Sequence, residues 1–192
     1  MRLVIGLLLA LCVAAALGLS ATWLATTRGF AFGAVSLGAW TANPKAGTSE
    51  IDPYARAVMA RSGELPLGSG DGIAFTAQTD DSGQRLNGRC DVVLSGTTPA
   101  ARFWTLALYD LDGRLVSNTL NRQGFTSQEI VRRNDGTFEI TVAPRSRAGN
   151  WLPTAAVERY MLVLRLYDAA SGVVSRQGRE TPMPSVTVRS CP

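Results

Sequence analysis

The chain has 192 residues, a formal net charge of +4 at pH 7 and no histidine. Without imidazole it cannot build a Ser-His-Asp triad, a Cys-His pair or a histidine-ligated metal site. Its 19 basic and 15 acidic residues are interspersed and form no clustered basic stripe of the kind that binds phosphate backbones, so we expect no nucleic-acid partner.

The first predicted element is an apolar helix at the amino terminus. Residues 3–19 are apolar, and little polarity follows before Arg28. About 20 such residues cross a hydrocarbon core as a helix, and Trp23 stands where an interfacial aromatic residue would lie. The sequence therefore predicts a membrane anchor over residues 1–28.

The same segment also fits a cleaved secretory signal. Arg2 would be its charged region and Ala16-Leu17-Gly18 its small-x-small cleavage site. We favour the uncleaved anchor because the apolar stretch is longer than a typical signal core. Under both interpretations the rest of the chain is exported. We expect a single-pass inner-membrane protein with its carboxy-terminal domain in the periplasm, or a periplasmic protein if the signal is cleaved.

The three cysteines are compatible with export. Cys12 lies in the apolar helix, whereas Cys90 and Cys191 lie in the exported part and are a possible disulfide pair. Such a bond would close a loop of about 100 residues and stabilise the fold by up to about 4.7 kcal/mol in the chain-entropy model. The alternative is two thiols that are buried or idle.

Residues 29–50 are rich in glycine and alanine and predict a linker or an extended arm, with a membrane-surface segment as the alternative.

A short amphipathic helix follows. Asp52 suits its N-cap, Pro53 its first position and Gly63 its C-terminal cap. We expect this helix to pack on a single domain that spans residues 51–192.

Short strands separated by Gly, Asp and Asn turns make up the rest of the chain, which favours an antiparallel β-sandwich or barrel. Two of these strands end alike, in Leu-Tyr-Asp, and we interpret them as two central strands whose tyrosines are half-buried and whose aspartates bond their own turns. The predicted strands are residues 73–77, 90–94, 103–109, 137–142, 160–167 and 186–188.

Acidic residues give weak signals for chemistry. Asp110 and Asp112 are the best-placed carboxylate pair, but aspartates are also usual in hairpin turns. Asp80, Asp81 and Ser82 lack the ligand spacing of a calcium loop. We therefore predict no catalytic residue, no metal site and no cofactor.

Arginines in the second half of the chain are dense enough to form an anion-binding concavity, although a solvated surface is the simpler interpretation. Arg165 differs from the others because an arginine inside an apolar strand needs a specific acceptor. The candidates are Arg102, Arg114, Arg122, Arg132, Arg133, Arg145, Arg147, Arg159 and Arg165.

Two tryptophans have different predicted roles. Trp104, inside a strand, is predicted to be a core residue. Trp151 lies in a predicted long loop over residues 143–158, which is either pinned by its own side chains or functional. We favour Trp151 and Leu152 as a plug of the sandwich end, with Asn150 bonded to the turn backbone. A ligand platform at Trp151 is the alternative.

Several of these segments, in order, resemble the bacterial domain-of-unknown-function family 1214. They are RFWTLALYD, NDGTFEITV, GNWLP and LRLYD, and the preceding DPYARAVMARSGELPLG is similar to short membrane-anchored members from alpha-proteobacteria. The resemblance covers roughly residues 40–168. It implies a mainly antiparallel, jelly-roll-like β-sandwich with no assigned activity. Larger relatives carry a second domain before this one, and an anchor takes its place here.

The resemblance transfers motif positions only, and no catalytic residues: Trp104, Tyr109, Asn150, Trp151, Pro153, Arg165 and Tyr167. Our preferred hypothesis is a membrane-anchored β-sandwich that binds a saccharide, a small molecule or an envelope protein. The candidate binding residues are Trp151, Asn150, Tyr109, Arg165 and Tyr167.

Two other functions stay open. A carboxylate-dependent hydrolase of envelope polymers needs no histidine, but two carboxyl groups must face one cleft at roughly 5–9.5 Å. A structural subunit of an envelope assembly predicts a large exposed apolar patch instead of a concave site.

Overall fold

The computed structural model describes residues 1–27, 33–62, 65–68, 70–155, 157–169 and 181–191. The predicted ends of the anchor and of the short helix, Arg28 and Gly63, lie outside them. The described residues form these elements: α1 (Arg2–Thr27), β1 (Val35–Leu37), β2 (Trp40–Ala42), α2 (Pro53–Ser62), β3 (Gly72–Ala77), β4 (Asp91–Gly96), β5 (Ala101–Tyr109), β6 (Gly124–Thr126), β7 (Phe138–Ala143), β8 (Asn150–Pro153), β9 (Met161–Ala169) and β10 (Ser185–Ser190).

The strands form two sheets around one hydrophobic core. The larger sheet has the order β1-β2-β3-β9-β5-β6 and the smaller one the order β10-β4-β7-β8. Alternate residues of both sheets point inward, so that Leu106 and Leu164 of the larger sheet join the same core as Leu94 and Ile140 of the smaller one. Each buried side chain of this kind contributes about 1.5–3 kcal/mol. This arrangement is the predicted mainly β, sandwich-like fold.

All six predicted strands are present, with ends that differ by no more than two residues from the prediction. The two strands that end in Leu-Tyr-Asp, β5 and β9, are neighbours in the middle of the larger sheet, as predicted. Asp110 bonds its own turn, as predicted. The Asp168 carboxylate accepts a hydrogen bond from the Arg102 guanidinium at 3.3 Å, across the strand pair, and the turn that it was predicted to bond lies outside the described residues.

The predicted arm contributes two strands to the larger sheet. β1 and β2 form a hairpin, and Thr41 of β2 pairs with Thr76 of β3. Trp40 is only 1% exposed, and its indole Nε1 donates a hydrogen bond to the Pro184 carbonyl at 2.7 Å. One buried tryptophan thus attaches the hairpin to the opposite end of the chain.

The two helices lie before the main part of the fold. α1 is long and apolar enough to cross a membrane, and none of its residues is buried. α2 begins as predicted: Asp52 Oδ1 accepts the backbone N–H groups of Tyr54 and Ala55 at 2.8 and 3.2 Å. The Arg61 guanidinium lies 4.4 Å from the centre of the Trp23 ring, so the helices contact each other.

The prediction of one long loop over residues 143–158 was wrong, because β8 lies inside it. β8 pairs in parallel with β7, and Thr141 stands opposite Trp151. Only residues 144–149 connect the two strands, although parallel strands usually need a dozen or more residues between them. Gly149, at φ +80°, precedes β8, and this short return brings Trp151 back beside β7.

Candidate functional site

Trp151 lies on the outer face of the smaller sheet. Its strand neighbour Leu152 is fully buried in the core, so the alternating pleat turns Trp151 away from the space between the sheets. The indole Nε1 donates a hydrogen bond to the Ala143 carbonyl at 3.0 Å, and the side chain is half-buried. Of the two residues predicted to fill the sandwich, Leu152 does so, and Trp151 covers β7 from outside.

An open groove of about 530 Å³ lies beside the Trp151 ring, and we call it the tryptophan groove. Its volume is within the 300–1,000 Å³ typical of ligand sites, and it combines an aromatic ring and prolines with hydroxyl groups. It is lined by Ser117, Asn118, Thr119, Leu120, Pro144, Trp151, Pro153 and Ala155.

The wall opposite Trp151 is a turn held by its own side chain. Asn118 Oδ1 accepts the backbone N–H groups of Leu120 and Arg122, both at 3.1 Å, and its Nδ2 donates to the Arg122 carbonyl at 2.7 Å. The Arg122 guanidinium donates to the Trp151 carbonyl at 3.2 Å. These bonds fix the shape of the groove, and within the described part of the chain they leave the hydroxyls of Ser117 and Thr119 without partners.

Asn150 lies beneath this surface and is 8% exposed. Its Oδ1 accepts the Val131 N–H at 2.8 Å, and its Nδ2 donates to the carbonyls of Val131 and Glu139 at 2.8 and 2.9 Å. Both amide hydrogens are therefore used by the backbone. Asn150 positions β8 and the Val131 segment instead of presenting its amide to solvent.

A second groove, of about 710 Å³, adjoins the first through Pro144 and Ala155, which line both. We call it the arginine groove. A disulfide between Cys90 and Cys191 lies at its edge, and Arg147 donates from Nε and Nη2 to Asp91 Oδ2 at 2.8 and 2.5 Å. Its lining residues are Gly88, Arg89, Asp91, Pro144, Arg145, Arg147, Ala155, Val157, Glu158, Ser190 and Cys191.

The other three predicted binding residues lie on the larger sheet. Arg165 donates to the Tyr109 hydroxyl at 3.0 Å and stands 5.3 Å from the centre of that ring, which supplies the specific acceptor expected for this arginine. Tyr167 contacts Phe103, with ring centres 5.8 Å apart. The structure thus divides the five predicted binding residues between two sheets, and neither groove includes Tyr109, Arg165 or Tyr167.

The candidate carboxylates organise turns. Asp110 Oδ1 accepts the N–H groups of Asp112 and Arg114, and Asp80 Oδ1 accepts those of Ser82 and Gln84 in the same way. Burial alone would raise the pKa of Asp80, but hydrogen bonds from the Ser82 hydroxyl and from the backbone lower it below its ordinary value. Among the residues with described positions, no cluster of three or more Cys, Asp or Glu side chains is placed to hold a metal ion.

The nine arginines do not converge in one concavity. Arg133 pairs with Glu139, and Arg132 lies over the rings of Trp104 and Phe138. Arg145 and Arg147 line the arginine groove. Trp104 is 3% exposed and contacts Phe138, as predicted for a core residue. Arg89, which the sequence analysis did not select, lines the arginine groove.

Comparison with known proteins identifies a family and a similar fold, and neither comes with an activity. Residues 71–171 match the family described as "Protein of unknown function (DUF1214)", and no curated protein matches the chain. The tryptophan groove, whose residues lie between positions 117 and 155, falls entirely within the matched region. The arginine groove also uses Ser190 and Cys191, beyond it.

Two solved structures are similar to the chain. The VPA0106 protein from Vibrio parahaemolyticus is 22% identical with a TM-score of 0.59, and the match covers 73% of this chain and 36% of that one. A putative uncharacterized protein from Burkholderia cenocepacia is 19% identical with a TM-score of 0.46, over 61% and 29%. The chain therefore spans about a third of the length of these proteins, and the first likeness shows the fold alone.

Proposed function

The chain belongs to the DUF1214 family, as its motifs predict, and because no activity is assigned to that family we propose a function from the site itself. We propose that the protein is a membrane-anchored binding module that holds a saccharide in the tryptophan groove. The observation that carries the proposal is the half-exposed Trp151 ring in an open groove, beside the hydroxyls of Ser117 and Thr119, which have no partner among the described residues.

These groups match the two-sided chemistry of a sugar ring. A pyranose has a face of C–H groups, which packs on an aromatic ring, and a rim of hydroxyls, which exchange hydrogen bonds with serine and threonine. The Trp151 Nε1–H is already bonded to Ala143, so the ring is held in one orientation and offers its face. A wall that is ordered before binding lowers the entropy cost of association.

We place this module at a membrane because α1 has 26 residues, a helix about 39 Å long, which exceeds a hydrocarbon core of about 30 Å. We place the domain in the periplasm because the chain begins like an export signal and because a Cys90–Cys191 disulfide persists in an oxidising compartment. Together these features support a protein that presents its grooves outside the inner membrane.

A carboxylate-dependent hydrolase is not favoured by the contacts of the acidic residues. Asp91 and Glu158 both line the arginine groove, but Asp91 accepts two hydrogen bonds from Arg147, and Asp110 is used by its turn. A structural subunit has no specific observation in its favour either. Among the large apolar side chains that are exposed outside α1 in the described part of the chain, Leu111 and Val131 lie in two different turns.

Titration calorimetry of the full chain with neutral oligosaccharides tests the proposal. The protein should be held in lauryldimethylamine oxide micelles, because a detergent with a sugar headgroup would compete for the groove. Chitotetraose, cellotetraose and maltotetraose serve as probes. We expect at least one to bind, and we expect Trp151→Ala to weaken that binding by about tenfold or more, since about 1.4 kcal/mol of contact energy is lost.

The matched control is Tyr167→Ala, which removes a half-buried aromatic residue on the other sheet and also tests the other group of predicted binding residues. Its affinity should equal that of the unmodified protein. Binding that is lost in Tyr167→Ala and kept in Trp151→Ala would move the site to the larger sheet and refute the proposal. Absence of binding by all three probes at millimolar concentration would also refute it.

A further inference from the structure

We propose that the arginine groove is a second subsite of the same surface and takes an anionic group, a carboxylate or a phosphate, so that the bound saccharide is an acidic glycan. This inference rests on the proposed function, because it specifies the class of saccharide that the tryptophan groove would hold. The starting observation is that two open grooves of about 530 and 710 Å³ share Pro144 and Ala155 as a common border.

The arginine groove contains unused positive charge. Arg89 and Arg145 are exposed, and within the described part of the chain neither guanidinium has a hydrogen-bond or ion-pair partner. Most arginines considered above are engaged by a carboxylate, a carbonyl or an aromatic ring, whereas these two are not. A guanidinium presents a planar set of N–H donors that fits the two oxygens of a carboxylate or a phosphate.

Acidic residues in the groove do not cancel this charge. Asp91 is only 8% exposed, and its carboxylate is neutralised by the two hydrogen bonds from Arg147. Glu158 also lines the groove, which therefore has three arginines, Arg89, Arg145 and Arg147, against two carboxylates. The lining therefore keeps a net positive charge, which attracts an anion and repels a cation.

Hydrogen bonds and the disulfide fix the walls of this groove. The Gly88 N–H donates to the Glu158 carbonyl at 3.0 Å, and the fully buried Thr154 hydroxyl donates to the Gly88 carbonyl at 2.7 Å. The Cys90–Cys191 bond ties the last strand to β4 at the same edge. An anion would enter a site whose walls are ordered in advance, with the two arginine side chains free to adjust.

The two grooves adjoin each other, and this indicates which class of glycan could occupy both. Because Pro144 and Ala155 line both grooves, a glycan with one sugar on Trp151 would extend past Pro144 into the groove that Arg145 lines. A neutral glycan would use only the tryptophan groove. The two subsites together therefore select glycans that carry a carboxylate or phosphate near a stacked sugar ring.

The test compares an acidic and a neutral tetrasaccharide on the full chain in lauryldimethylamine oxide. The probes are a hyaluronan tetrasaccharide, which carries glucuronate carboxylates, and chitotetraose. We expect the acidic probe to bind more tightly and the double variant Arg89→Gln, Arg145→Gln to weaken it by about tenfold or more, with chitotetraose affinity within about twofold. Sodium chloride should weaken only the acidic probe, because salt screens charge pairs.

The matched control is Arg102→Gln, Arg114→Gln, which removes two exposed arginines outside both grooves. Equal weakening of the acidic probe by both double variants would reduce the effect to overall charge and overturn the inference. So would an acidic probe that binds the groove variant normally. Inorganic phosphate that bound the unmodified protein as tightly as the acidic tetrasaccharide would also overturn it, since the groove would then serve a free anion.

Failure of this inference differs from failure of the proposed function. If Trp151→Ala abolishes binding of both tetrasaccharides and the arginine variant abolishes neither, the saccharide site stands and the anionic subsite is refuted. If chitotetraose does not bind, but the acidic tetrasaccharide binds and depends on Arg89 and Arg145, the anionic subsite is supported and a neutral saccharide site is refuted.

Discussion

The Trp151 indole donates its N–H to the carbonyl of Ala143, the last residue of the neighbouring parallel strand, at 3.0 Å. In the strand register Ala143 stands opposite Pro153, so the indole is turned forward along β7 over the outer face of the sheet. The Ala143 carbonyl also accepts the backbone N–H of Thr154, at 3.2 Å. The side chain of Trp151 therefore adds a second hydrogen bond to the carbonyl at which the parallel ladder ends.

Two substitutions of Trp151 distinguish the stability contributed by its hydrogen bond from that contributed by its ring. Trp151→Phe keeps an aromatic face and should lower the free energy of unfolding by about 1 kcal/mol, the usual value of one hydrogen bond. Trp151→Ala should lower it by about 2 kcal/mol, because the ring is only half-buried. Urea denaturation measures both. A loss above about 4 kcal/mol in Trp151→Ala would show that the ring is a core plug.

Asn150 is expected to contribute more to stability than Trp151. Asn150→Ala removes three hydrogen bonds and leaves the Val131 and Glu139 backbone groups without their partner, at a cost of about 2–4 kcal/mol. Asn134→Ala, in an exposed turn, is the matched control and should stay within about 0.5 kcal/mol. Equal thermal midpoints for the two variants would contradict the positioning role of Asn150.

Asp80 should make the free energy of unfolding depend on pH in the acidic range. Its pKa in the folded protein is lowered: burial opposes ionisation, but bonds from Ser82 and Gln84 outweigh it. Its stabilising effect is present above the unfolded pKa of 3.8 and is lost as the pH falls below that value. Asp80→Asn should therefore cost about 2 kcal/mol at pH 7 and much less at pH 2. A constant difference at the two pH values would exclude this linkage.

Tyr160 is buried at 1% exposure, and its hydroxyl has no hydrogen-bond partner among the described residues. Tyr160→Phe should therefore keep or increase stability, by up to about 1 kcal/mol, since it removes an unsatisfied polar group without opening a cavity. Burial raises the pKa of the Tyr160 hydroxyl, so stability should fall as the pH rises above the ordinary value of 10.0. The variant should lose less stability between pH 9 and 11, and a destabilised variant would reveal a partner for the hydroxyl.

The disulfide gives a prediction that also tests export. Denatured, unreduced full-length protein should show one reactive thiol, that of Cys12, because Cys90 and Cys191 are bonded. Cys191→Ser should lower stability by up to about 4.7 kcal/mol, since the bond links residues 101 positions apart. Three reactive thiols in protein purified from the native membrane would exclude both the bond and the compartment inferred from it.

The sequence predicted those parts of the fold that depend on local patterns. Short apolar runs that end at turn residues identified β5 and β9, and Asp52 identified the start of α2. β8 could not be found this way. Its four residues stand between Gly149 and a proline, and its pairing with β7 depends on contacts elsewhere in the chain, such as the bonds of Asn150 to Val131.

The grooves were also beyond local patterns. The tryptophan groove is formed by residues 117–120 and by the chain after residue 143, which only the packed structure brings together. Trp151 and Asn150 were correctly seen as special, but only packing separates a ring that lines the surface from an amide that lies below it. Arg89 gave no signal, because a single arginine next to a cysteine has no pattern that distinguishes it.

Because the β1–β2 hairpin begins soon after α1, it limits how far an anchored domain can lie from the membrane. Eight peptide units separate Thr27, the last residue of α1, from Val35, the first residue of the sheet, and a chain of that length spans at most about 28 Å. Under the proposed anchoring, this short connecting segment keeps the sandwich close to the bilayer surface. Occupancy of its grooves would then follow the local density of glycans in a thin layer near the membrane, and large polymers in the outer periplasm would be beyond its reach.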